Sequence, residues 1–145
     1  MHSLGVSHTH QREDRDHFIT INYHNIAPED VASLDNEFER SYSTSYGVPY
    51  AYDSFMHYEA NVYSKNASPA MVAKLEPVDE NTALMGQEKK ISEADIELLN
   101  RMYCRPEGCV DTTKECGIKA VLGECEGAER DWMQENCRVS CNSCQ

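Results

Sequence analysis

The sequence predicts an α+β fold with few regular elements, followed by a small disulfide-rich module with short helices. Three observations lead there. One short segment alternates apolar and polar residues as a strand does. Two others space their apolar residues as helices do. All seven cysteines fall between Cys104 and Cys144.

Phe18-Ile-Thr-Ile-Asn22 alternates and reads as a short strand. Pro28 suits a first helical position, and Val31, Leu34 and Phe38 then share one face. The stretch 40–70 is rich in Ser, Tyr, Gly and Pro and reads as irregular; a loop of that length points to function. Ser92 is placed as an N-cap, with Glu93 and Asp95 in the first turn, where negative charge favours the helix dipole. Ile96, Leu99 and Tyr103 recur at helical spacing before Pro106, which predicts a helix over about 92–103 docked on the first domain. Cys104-Arg-Pro-Glu-Gly-Cys109 is a hinge. Residues 109–144, with six cysteines, are too few to fold on buried apolar surface alone and need covalent staples.

The 145 residues carry 13 Lys and Arg against 25 Asp and Glu, a formal charge of −12. That balance argues against nucleic acid, whose phosphates need a basic face, and against an anionic membrane surface. No apolar run approaches the ~20 residues of a transmembrane helix. The first ten residues show no signal-peptide pattern: they hold three histidines and, beyond Met1, two apolar residues.

Those ten residues read Met-His-Ser-Leu-Gly-Val-Ser-His-Thr-His. On one continuous helix His2 and His8 would point apart, but a glycine midway can take positive φ and bring both rings to one point. The spacing is the second half of H-E-x-x-H-x-x-G-x-x-H, the metzincin zinc motif. A His-rich terminus or a tag remnant is the competing reading. Three further stretches, in order, separate the two. Thr9-His-Gln-Arg-Glu-Asp-Arg-Asp16 resembles the H-E-x-x-R-x-D-R-D continuation of astacin metallopeptidases. Ser54-Phe-Met-His-Tyr58 is similar to that family's Met-turn. Leu84-Met-Gly-Gln87, the 92–103 helix and Cys104 look like the end of its domain.

The resemblance covers residues 2–104 and implies the C-terminal subdomain of a metzincin catalytic domain. It implies a zinc-dependent endopeptidase, with zinc as cofactor, proteins or peptides as substrates and a secreted location. Within it His2 and His8 match zinc ligands. Met56 matches the methionine beneath the metal. Tyr58 matches the tyrosine that approaches the zinc as a weak ligand and swings away to stabilise the oxyanion. The other ligand histidine and the general-base glutamate of the motif fall just upstream of Met1, so the chain is expected to be the truncated later part of a longer one and inactive as given. His57 inherits no ligand role. His10, His17 and His24 read as surface or hydrogen-bonding histidines. Thr9 stands where the family has a glutamate that pairs, through water, with the N-terminus formed on propeptide removal, so that contact is not expected here.

The gaps between the six module cysteines are 7, 9, 12, 4 and 3. Disulfides outrank a zinc site at this density, and sequence alone leaves all 15 connectivities open. The closing C-x-x-x-C-x-x-C with Cys-Val-Asp in front looks like a ShKT domain, named for sea-anemone potassium-channel toxins, over 109–144. That resemblance implies Cys109–Cys144, Cys116–Cys137 and Cys125–Cys141, leaving Cys104 unpaired. Asp131-Trp132 stands where channel-blocking relatives carry Lys-Tyr, and an acid there would be repelled by a cation pore. An appended binding or tethering module is therefore expected, with an extracellular partner; Trp132 and Met133 read as module core before contact patch. Asn66-Ala67-Ser68 is a candidate N-glycosylation sequon. The alternative function is a non-catalytic secreted binding protein, a degenerate protease scaffold bearing the ShKT module.

Overall fold

The structure is a computed structural model that describes residues 1–30, 44–66 and 68–144. Two compact units divide them: residues 1–30 with 50–66 and 68–92, and residues 44–49 with 93–144. From Val31 on, the helix expected after Pro28 lies outside the described residues.

The first unit is built on a two-stranded antiparallel sheet, β1 Ile19–Ile21 and β2 Met71–Ala73, with Ile19 opposite Ala73 and Ile21 opposite Met71. Backbone bonds from Asn22 N to the Ala70 carbonyl (2.7 Å) and from Lys74 N to the Phe18 carbonyl (2.8 Å) extend the pairing to the full expected span 18–22. Alternation places Ile19 in the core with Met71, Ala73, Ile26, Tyr50, Tyr52 and Met85. Each fully buried aliphatic side chain there contributes about 2 kcal/mol.

Helix α1, Val78–Leu84, buries none of its residues, which is why no apolar stripe marks it in the sequence. It is held by polar bonds instead. The Ala73 amide, at the end of β2, donates to Thr82 Oγ1 (3.0 Å), and Asn81 donates to the Leu75 carbonyl (3.0 Å). Asp79 and Glu80 sit in its first turn, where they favour the dipole. Its other described residues are mostly single helical turns and loops, in keeping with few regular elements.

The second unit contains α2 (Glu93–Tyr103), α3 (Cys116–Val121) and α4 (Arg130–Asn136). Helix α2 starts where Ser92 and its acidic first turn predicted, but its apolar face is not the buried one: Ile96 and Tyr103 are exposed, and Asp95 is buried. What holds it is Arg101. Its Nη1 donates to the carbonyls of Tyr46 (2.7 Å) and Ser140 (3.0 Å), and its Nη2 pairs with Glu97 one turn back (2.5 Å). The helix therefore belongs to the same compact unit as 44–49 and the cysteine module.

Three disulfides staple the module: Cys109–Cys144, Cys116–Cys137 and Cys125–Cys141; Cys104 is a free, exposed thiol. The centre is Cys116, Cys137 and Met133, each wholly buried. Trp132, expected in that core, is not there: it is 40% exposed, with Lys119 Nζ 5.4 Å from its ring centroid. The reason is helical. Adjacent residues on α4 point about 100° apart, so seating Met133 inward turns Trp132 outward. Among the described residues no helix is long and apolar enough to cross a membrane.

Asp111 fixes the chain to the last cysteine loop. Its Oδ1 accepts from the amides of Val139 (3.0 Å) and Ser140 (3.1 Å), and its Oδ2 from the Ser140 hydroxyl (2.7 Å). Asp111→Ala removes a charged acceptor from three donors and is expected to destabilise the module by roughly 3 kcal/mol. Thermal unfolding with the disulfides intact measures it, and an unchanged midpoint would show that the carboxylate contributes nothing.

Candidate metal centre

The site begins with a single helical turn, His2–Leu4, ended by Gly5 at φ 78°. That left-handed conformation is open to glycine at little cost and reverses the chain, so His8 returns toward His2. The two imidazole centroids are 4.5 Å apart and edge-on. His2 is exposed and His8 half-buried.

Each ring is tied through the same nitrogen. His2 Nδ1 donates to the Val6 carbonyl (3.0 Å), and His8 Nδ1 donates to the Met56 carbonyl (3.1 Å). A carbonyl accepts and does not donate, so both imidazoles are held in the tautomer whose lone pair lies on Nε2. This is the arrangement that orients a histidine as a metal ligand. Val6, buried, supplies the first carbonyl from within the motif itself.

The second carbonyl comes from the irregular loop 54–58, which hydrogen bonds anchor to the segment after His8. Thr9 N donates to the Met56 carbonyl (3.0 Å). Thr9 Oγ1 donates to Ser54 Oγ (2.8 Å), which also accepts from the Met56 amide (3.1 Å). Thr9, Ser54 and Met56 are all buried. Thr9 thus uses its hydroxyl to clamp the two loops together, a role its mismatch with the family pattern did not suggest. Ser54 was visible as the first residue of the Met-turn match, without a role attached.

The Tyr58 ring lies 4.3 Å from His8, edge-on, and 4.3 Å from His10, tilted. His10 is fully buried, contrary to the surface reading, because Arg15 Nη1 pulls in its carbonyl (3.1 Å) and Tyr58 covers its ring. His17 and His24 are exposed. Arg12 grips the buried Asp14 with two bonds, 2.9 and 2.6 Å, and lies 5.3 Å from the Tyr50 ring centroid. Within the charged run after His8, Asp14 and Arg15 are buried, while Asp16 is exposed.

His57 is buried beneath this layer. Its Nδ1 donates to the Tyr58 carbonyl (2.8 Å), and its Nε2 accepts from the Tyr50 hydroxyl (2.8 Å). Burial pushes the Tyr50 phenol well above its usual range, keeping it a donor. Burial also pulls His57 down to about 4, with the Tyr58 carbonyl opposing the shift. Nothing in the spacing of Tyr50 and His57 announces this pair, since only the folded loop brings them together.

His2, His8, Met56 and Tyr58 are thus gathered in one place, while Asn66 is exposed and remote in the sequence, in a turn where its Oδ1 accepts from Ser68 N (2.9 Å). Among the described residues no group of three or more His, Cys, Asp or Glu side chains could hold a metal ion. Two imidazoles presenting Nε2 and a phenol nearby suit zinc chemically but make an incomplete set of donors.

The neutral, buried His57 gives a pH signature. Its folded-state pKa of about 4 lies below the ordinary 6.5, so the unfolded chain takes up the proton first on acidification. Stability from this group is complete above pH 6.5 and falls as pH drops toward 4, by on the order of 3 kcal/mol. Denaturant unfolding across that range checks it, and the His57→Gln variant should show a flatter profile.

Comparison with known proteins follows the same lines. Residues 1–104 match the peptidase family Astacin, and residues 108–144 match ShK domain-like. The Caenorhabditis elegans zinc metalloproteinase nas-9 is 46% identical over 99% of this chain and 26% of its own length. Zinc metalloproteinase nas-10 of the same organism is 42% identical over 99% of this chain and 27% of its own. The chain thus spans about a quarter of these relatives. Among solved structures it resembles high choriolytic enzyme 1, a hatching-enzyme zinc protease of medaka, Oryzias latipes, with TM-score 0.58 and 27% identity over 68% of this chain and 46% of the other.

Proposed function

The chain belongs to the astacin family of peptidases, with a ShK-like module behind it, and from that premise we propose that it forms part of a zinc endopeptidase centre acting on proteins or peptides outside the cell. His2 and His8 are the metal ligands through Nε2, Met56 is the polarizable floor, and Tyr58 is the oxyanion stabiliser and weak ligand. The domain division is 1–104 and 109–144. The observation that carries the reading is the shared tether: both imidazoles give Nδ1–H to backbone carbonyls 3.0 and 3.1 Å away.

Zinc, when bound, supplies Lewis-acid polarisation of the scissile carbonyl. The chain's own groups do the positioning. The Val6 and Met56 carbonyls set the ring orientations. The Thr9–Ser54 bond holds the loop that carries Met56 and Tyr58 against the histidine segment. The Tyr58 hydroxyl is a donor for negative charge developing on the carbonyl oxygen. The three disulfides favour an oxidising, extracellular setting, and the module serves binding or tethering there. Asn66 is a candidate glycan site in the same setting.

With two imidazole ligands, the 145-residue chain alone is expected to show no zinc-dependent peptide cleavage. A chimera joining it behind the preceding part of the nas-9 catalytic domain is expected to cleave peptides, to lose activity with His8→Ala, and to fall about 10–100-fold in kcat, with little change in KM, with Tyr58→Phe. Zinc-dependent cleavage by the chain alone, or full activity of the His8→Ala chimera, would contradict the ligand assignment. If every chimera is inactive while the chain binds a protein partner through its module, the non-catalytic reading replaces it.

A further inference from the structure

Beside His8 and Tyr58 the first unit has an open, solvent-facing cavity of about 500 Å³. Its walls are Phe55, Val62 and Tyr63, and two carboxylates, Glu59 and Glu88, line it as well. No lysine or arginine does, and among the described residues neither carboxylate is engaged in an ion pair.

The two acids come from separate loops, and the fold holds those loops together. Gly86 has φ 80° and lies flat against Glu59: a Cβ there would come within 2.6 Å of the Glu59 Cα and 2.7 Å of its amide nitrogen. The following residue pins the loop, since Gln87 Nε2 donates to the carbonyls of Asp53 and Lys90, each at 2.7 Å. Its Oε1 accepts from the amides of Lys89 (3.1 Å) and Lys90 (3.2 Å). The backbones of Glu59 and Glu88 are thereby held beside one aromatic-walled space, with both residues exposed to solvent.

Building on the endopeptidase reading, we propose that this cavity is a specificity pocket for a lysine or arginine side chain of the substrate peptide. A long basic side chain suits both halves of the lining. Its methylene stem covers the Phe55, Val62 and Tyr63 surface, and its charged head reaches the carboxylates while staying partly hydrated. An acidic side chain would meet two like charges, and an aliphatic one of equal length would gain nothing from the hydrated carboxylates.

The test uses the 145-residue chain and three short capped peptides of alanine with a single central lysine, norleucine or glutamate, titrated by amide NMR with and without zinc. The lysine peptide is expected to bind about tenfold more tightly than the norleucine peptide, shifting the Glu59, Gly86 and Glu88 amides, with the glutamate peptide weakest. The advantage should shrink as salt is raised, a measurement that needs no variant. Glu59→Gln/Glu88→Gln should bring the lysine peptide down to the norleucine level. Equal affinities for lysine and norleucine, or a lysine preference that survives the double variant, would overturn the pocket. The metal reading fails separately: if zinc leaves the His2 and His8 ring signals unmoved while the lysine preference holds, the pocket stands and the ligand assignment falls.

Discussion

The carbonyl oxygen of Met56 accepts from the Thr9 amide at 3.0 Å and from His8 Nδ1 at 3.1 Å. One oxygen thereby fixes the distance between two loops 48 residues apart and the orientation of an imidazole. The other features of the site follow from it. Ser54, bonded to both Thr9 and the Met56 amide, keeps that carbonyl aimed at the histidine segment. The same turn buries the Met56 side chain and brings Tyr58 against His8. Residues 55–59 then continue along the wall of the acidic cavity. The orientation of His8 and the wall of the acidic cavity are built from one stretch of chain, and displacing that carbonyl would disturb both.

A site resting on a few hydrogen bonds between loops needs a firm base, and the first unit provides it without much regular structure. The two-stranded sheet is only three residue pairs long, yet it gathers Ile19, Met71 and Ala73 into the cluster that also buries Tyr50 and Tyr52. Tyr50 then supports His57, and Tyr52 donates to the Phe18 carbonyl at 2.6 Å. Aromatic residues here combine apolar burial with a polar end that ties down a loop. The second unit solves the same problem by covalent means, with three disulfides around Met133 and an aspartate gripping the last turn.

Much of this was legible because it depends on local spacing. The His2-x-x-Gly5-x-x-His8 pattern specifies a turn and two converging rings, and the ordered matches through Ser54–Tyr58 and Cys104 mark the family. The strand over 18–22 and the helix after Ser92 follow from short-range alternation and capping. What escaped reading depends on distant partners. Helix α1 has no apolar stripe because polar bonds hold it. Arg101, rather than Ile96 or Tyr103, secures α2, since two carbonyls from separate segments meet its guanidinium. Thr9 looked like a lost glutamate until Ser54 came within 2.8 Å of its hydroxyl. The burial of His10, open between surface and hydrogen-bonding readings in the sequence, depends on Tyr58 covering its ring.

The proposed ligand histidines are both locked by their Nδ1 protons, and ring-nitrogen NMR of the metal-free, 15N-histidine-labelled chain at neutral pH reads this directly. Protonated Nδ1 and unprotonated Nε2 are expected for His2 and His8, with His8 losing that preference when Ser54→Ala frees the Met56 loop. Nε2-protonated rings at His2 and His8 in the intact chain would contradict the ligand assignment, because the nitrogens assigned to the metal would then carry the protons.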